Sequence, residues 1–78
     1  MAKLPSIPGS KVIAALKTFG FEEVRIHSSH HMLKKDGHRF VVSVPVHGNE
    51  PVAKGTLRAI LRGASVDLEF FIKALEKL

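Results

Sequence analysis

The chain has 78 residues, with 12 lysines and arginines against 7 acidic residues, a formal charge of +5, and no cysteine. That length allows one domain with one small core, and the missing thiols exclude disulfide staples and thiolate metal ligands. The positive balance favours an acidic partner such as a nucleic acid. No apolar run approaches the ~20 residues of a membrane span, and the opening MAKLPSIPGSKV has no signal-like apolar stretch. A cytoplasmic protein without membrane attachment is expected.

Residues 1–9 contain Pro5 and Pro8, which oppose a helix, and are expected to form a flexible arm ahead of a single domain over 10–78. Ser10 is placed to cap a helix through KVIAALKTF, with Val12, Leu16 and Phe19 on one face and Ile13 beside them. Gly20 suits the left-handed residue that ends such a helix. The period then changes. Residues 21–27 carry Val24 and Ile26 at strand spacing, and His30 to Lys34 fits a second strand. Asp36-Gly37 is a hairpin signal, and HRFVVSVPV, residues 38–46, reads as the strongest strand. In it Phe40, Val42, Val44 and Val46 share one parity, and Pro45 belongs near a strand end or on an edge.

His47 to Pro51 reads as loop. Two helices close the chain. Lys54 to Ala64 places Leu57, Ile60, Leu61 and Ala64 on one face. After Asp67, a plausible N-cap, Leu68, Phe71, Ile72 and Leu75 turn inward. The order α-β-β-β-α-α implies an α+β sandwich of two layers, with helices over one face of an antiparallel sheet.

Four of the five histidines lie in RIHSSHHMLKKDGHRF, residues 25–40. A metal site is not expected. Strand alternation sends His30 and His31 to opposite faces, and no HExxH helix occurs. No other cofactor is implied. His38, beside the turn, reads as a solvated polar residue; His27 is ambiguous, and His47 sits where loops often carry function. His30 has more specific chemistry. An imidazole at the start of a strand can exchange a proton near neutral pH, including one from an RNA 2′-hydroxyl, with lysine or arginine stabilising the phosphoryl charge. Ser29 lacks the orienting partners of a hydrolytic triad.

Lys54, Arg58 and Arg62 recur every four residues, which suits either a phosphate-tracking stripe or an ordinary solvated helix face. Lys34, Lys35 and Arg39 bracket the turn and extend the positive surface. Trp and Tyr are absent, so an aromatic platform for single strands is not expected.

From about residue 10 to residue 72 the chain resembles the HicA family of toxins, the small mRNA interferases of HicA–HicB toxin–antitoxin systems. The resemblance is carried by SKVIAALKTFGF, Arg25, the Ser29-His30-His31 run, KKDGHRFVVSVPVHG, KGTLRAIL and DLEFF; the VPVHG…GTLR spacing is its most specific part. It implies a double-stranded-RNA-binding-like fold, an α-β-β-β-α core followed here by a further short helix. It also implies mRNA cleavage by the histidine of a Gly-Ser-His motif, a general-base route that needs no metal, and a HicB-like antitoxin that binds and covers the active face. The motif falls on Ser28, Ser29 and His30, with His31 beside it, so His30 is the expected catalytic residue. Arg25 and Arg39 are candidate phosphate contacts. Ser28 stands where the family has glycine. The same basic surface and this departure keep open an alternative, a non-catalytic module that binds RNA or the antitoxin. An exposed sheet edge would also allow an oligomer of unspecified order.

Overall fold

The computed structural model describes residues 3–78; Met1 and Ala2 of the expected arm lie outside the described residues. Helix α1 spans Gly9–Lys17. Ser10 does not cap it. Pro8 is the N-cap residue, and its carbonyl accepts from the N–H groups of Lys11 and Val12 at 3.0 and 3.2 Å. Pro8 cannot supply a side-chain cap, but its fixed φ starts the helix earlier than Ser10 would. The early entry is possible because residue 9 is glycine. A Cβ there would collide with the Pro45 carbonyl oxygen and come within 3.0 Å of Val46 Cγ2. At the other end Gly20 has φ +98°, and Phe21 N–H reaches back to the Leu16 carbonyl at 3.4 Å while Gly20 N–H reaches Lys17 at 3.0 Å. This is the paired bonding of a glycine-terminated helix.

Three antiparallel strands follow, β1 (Glu22–His27), β2 (His30–Lys34) and β3 (Val42–Pro45), in the order β1-β2-β3. β2 is therefore central. Leu33, Val42 and Val44 on one sheet face are buried against Val12 and Leu16 of α1 and against Leu57 and Phe71 of the later helices. The α+β two-layer arrangement expected from the pattern is what the chain adopts. β1 is exposed along its whole length and carries an irregularity between Glu23 and Arg25, which leaves Val24 outside the paired register.

The third strand is shorter than its composition suggests. Residues 38–41 are not in the ladder, and Phe40 is 61% exposed rather than in the core. His38 explains the break. Its ring packs edge-on to Phe21 with centroids 5.3 Å apart, and its Nε2–H donates to the Gly63 carbonyl at 2.7 Å. That draws the backbone off the sheet edge and satisfies a carbonyl in the last turn of a helix, one of the groups that turn leaves without an intrahelical partner. His38 is thus a half-buried packing residue and not the solvated turn residue expected. Asp36-Gly37 does form a turn, with His38 N–H donating to Lys35 O at 3.0 Å and Gly37 at φ +80°, inside a wider loop than a tight hairpin.

Helix α2 (Lys54–Ala64) buries Leu57, Ile60, Leu61 and Ala64 and ends at Ser65 in the left-handed conformation, φ 56° and ψ 40°. Helix α3 (Leu68–Glu76) starts from Asp67 and inserts Phe71, which is fully buried. The arm is anchored before α1 begins. Val52 N–H donates to Ile7 O at 2.9 Å, Pro8 and Pro51 form an isolated bridge, and Leu4 and Ile7 pack on the core.

Candidate active site

His30 opens β2, immediately after the two-residue connection Ser28-Ser29. His27 and His30 pair across the end of the β1–β2 ladder. Ser28 has φ 57°, and of the two connecting residues only it is positive. That pattern belongs to the tight hairpin turns whose first central position favours glycine. The serine therefore adopts the conformation that a glycine would supply.

β2 alternates as its sequence requires. His31 and Leu33 lie on the helix-covered side, opposite Val44 and Val42; His30 and Met32 lie on the open side, opposite Pro45 and Ser43. His30 Nδ1 is 3.2 Å from Ser43 Oγ, a diagonal contact between β2 and β3. Nδ1 is thus engaged along the sheet, and Nε2 is the ring's second nitrogen able to exchange a proton. Ser43 was not picked out from sequence. It is the polar residue in a valine run, and only the β2–β3 register reveals that it stands beside His30.

His30 and Ser43 line an open cavity of about 430 Å³. Its other walls come from Pro45 at the end of β3, from His47 and Glu50 in the following loop, and from Ala53 and Thr56 at the start of α2. The loop is fixed at both ends. Val46 N–H donates to Ser29 O at 2.8 Å, and Glu50 N–H donates to His47 O at 3.0 Å around Gly48, φ 56°. The start of α2 has no acidic residue in its first turn and no side-chain cap from Ala53. Its N-terminal N–H groups and the helix dipole favour a negative group at that wall. The cavity thus combines an imidazole held by a hydroxyl, a second imidazole, and a helix start suited to an anion.

The remaining expected site residues are distributed around this cavity or away from it. Arg25 pairs with Met32 and shares the open face with His30. Ser28 and Ser29 shape the turn that presents His30. His31 lies on the opposite side of the sheet, where its Nδ1–H donates to Glu23 Oε2. Lys34 is four residues along β2 from His30, roughly 13 Å at about 3.3 Å per residue. Lys35 packs its ammonium 5.7 Å from the Phe21 ring centroid, and Arg39 is exposed in the loop before β3. Lys54, Arg58 and Arg62 do share one face, and with Lys3 they line a separate groove of about 540 Å³ floored by Leu4, Leu61 and Val66. Lys54 of this groove and Thr56 of the cavity both belong to the first turn of α2, so the two concavities flank one helix start. Among the described residues, no group of three or more His, Asp or Glu side chains is arranged to hold a metal ion.

A small α+β domain with an exposed histidine on the open face of its central strand and basic residues along a neighbouring helix is the class of protein these features define. A family model describing the HicA toxin of bacterial toxin–antitoxin systems matches residues 9–66, most of the chain, and the protein belongs to that family. No curated protein matches the chain. No helix of the described residues is long and apolar enough to cross a membrane.

Proposed function

We propose that this toxin is a metal-independent endoribonuclease that cleaves mRNA in the cytoplasm and is neutralised by a cognate HicB-like antitoxin. The observation that carries this is His30, oriented by Ser43 at the mouth of a cavity whose far wall is the start of α2. His30 takes the proton of a ribose 2′-hydroxyl, O2′ attacks the adjacent phosphorus, and the P–O5′ bond breaks. The products are a 2′,3′-cyclic phosphate and a 5′-hydroxyl. The first turn of α2, a wall of the cavity, would stabilise the charge that develops on phosphate, with Arg25 on the same sheet face as His30 as a further contact. The Lys54–Arg58–Arg62 groove on the other side of that turn extends the positive surface for the flanking strand.

Ser28, in place of the family glycine, keeps open the non-catalytic binding module. Ser28 already has a positive φ and is not a wall of the cavity, which supports the catalytic reading over that alternative. The test is RNA cleavage in EDTA by the parent and by His30→Ala. His30 is exposed, so the variant should remain folded. Loss of the base should slow cleavage by about 100- to 10,000-fold. A folded His30→Ala protein that cuts at the parental rate would overturn the assignment. A parent that binds RNA with strong salt dependence but generates no new ends would establish the binding module instead. Antitoxin control by direct cover predicts that the purified complex loses cleavage; full activity in the complex would contradict it.

A further inference from the structure

In the proposed reaction one proton is unassigned. Breaking P–O5′ leaves an alkoxide that needs a proton as it departs. Entering O2′ and departing O5′ lie roughly in line on opposite sides of phosphorus, so a single imidazole is poorly placed to serve both. A second proton-transfer group on the leaving-group side of phosphorus would supply it faster than water does.

We infer that His47 is that group, the general acid that protonates O5′ while His30 acts on the 2′-hydroxyl; the inference rests on the nuclease function proposed above. Both side chains line the same cavity, His30 from β2 and His47 from the loop after β3. Their backbones are tied together. Ser29 adjoins His30, Val46 adjoins His47, and Val46 N–H donates to Ser29 O at 2.8 Å. The turn from His47 to Glu50 fixes the loop that brings the second imidazole to this cavity, whose lining also includes Ala53 and Thr56 at the start of α2. A phosphate seated against α2 would have one imidazole on the strand side and the other on the loop side.

Two other titratable groups are near. Glu50 lines the cavity, and His27 pairs with His30 across the β1–β2 ladder. Imidazole is the side chain most often used for proton transfer in catalysis, which favours His47 over the Glu50 carboxyl. His27 stands beside His30 on the sheet and not across the cavity from it.

The experiment compares two RNA oligomers: an ordinary one, and one with sulfur replacing the bridging O5′ at the phosphodiester that the parent cuts. A thiolate leaves without being protonated, so it bypasses the acid and still needs the base. His47→Ala is expected to slow cleavage of ordinary RNA by about 100- to 10,000-fold and to recover most of that loss on the sulfur substrate. His30→Ala should stay slow on both. His27→Ala and Glu50→Gln should not show the sulfur rescue. Parental cleavage of ordinary RNA by His47→Ala would overturn the inference. So would an equal loss on both substrates, which would make His47 a binding residue, or a sulfur rescue in Glu50→Gln or His27→Ala instead. A parent that cuts neither RNA would remove the nuclease function itself rather than the choice of acid. His47 is exposed, and its variant's unfolding curve guards against a folding defect.

Discussion

Replacing Ser28 with glycine should make the protein more stable and leave its chemistry alone. Ser28 is exposed and held at φ 57° by the two-residue connection between His27 and His30. An L-residue in the left-handed region costs about 1–2 kcal/mol. Glycine removes that cost but loses about 0.5–1 kcal/mol more backbone freedom on folding. The two ranges differ by about 0–1.5 kcal/mol, and the midpoint gain of about 0.75 kcal/mol corresponds, for a domain of this size, to a rise in Tm of roughly 3–6 °C. Ser65, at φ 56° after α2, is an internal control. Val66 N–H donates to Leu61 O at 3.0 Å and Ser65 N–H to Arg62 O at 3.2 Å, so its backbone is likewise locked at a positive φ, and Ser65→Gly should shift Tm in the same direction. Thermal unfolding followed by circular dichroism reads both, with cleavage assayed in parallel. A Tm that falls, or stays put at Ser28 while rising at Ser65, would refute the strain argument. A large change in cleavage rate would refute the claim that residue 28 acts only through the turn.

Three further outcomes are expected. His38→Ala removes a hydrogen bond to Gly63 O and an edge contact with Phe21, and should destabilise by about 1–3 kcal/mol in urea unfolding; a neutral result would return His38 to the solvated turn. Gly9→Ala puts a methyl group against the Pro45 carbonyl oxygen and should cost about 1–3 kcal/mol. Because Pro45 also walls the His30 cavity, that variant should lose cleavage at temperatures where it is still folded. Arg58→Gln should weaken RNA binding across sequences and lower the slope of log affinity against log salt by about 0.7 for a single strand; an unchanged slope would make the α2 stripe an ordinary solvated face.

Much of this molecule could be read from residue spacing. The helix at residues 54–64, its four buried residues and the β1–β2 connection follow from periods of 3.6 and 2 and from turn chemistry. Parity extends the third strand over residues 38–46, because it puts Phe40 in line with Val42 and cannot register that His38 bonds to a helix 25 residues away. Ser10 failed as a cap for a related reason. Pro8 could begin the helix only because Gly9 lets it lie against Pro45, a tertiary contact with no local signature. Within the candidate site, alternation placed His30 and His31 on opposite faces, but the neighbours of His30 depend on register and loop path. Ser43 and Thr56 carry no motif; they meet at the cavity because β2 pairs with β3 and α2 returns past the sheet end.

The strand that carries His30 has partners on both sides, and this bears on how such a toxin can be held in check. Amides inside a central strand open only with the larger unfolding of the domain. The His30 imidazole therefore takes its place on the sheet as the strand pairs. Bending the site out of shape would mean working against the hydrophobic core. A partner that silences this protein has an easier route in standing over the open face of the sheet, so the time during which the toxin is dangerous is set by how long that cover survives.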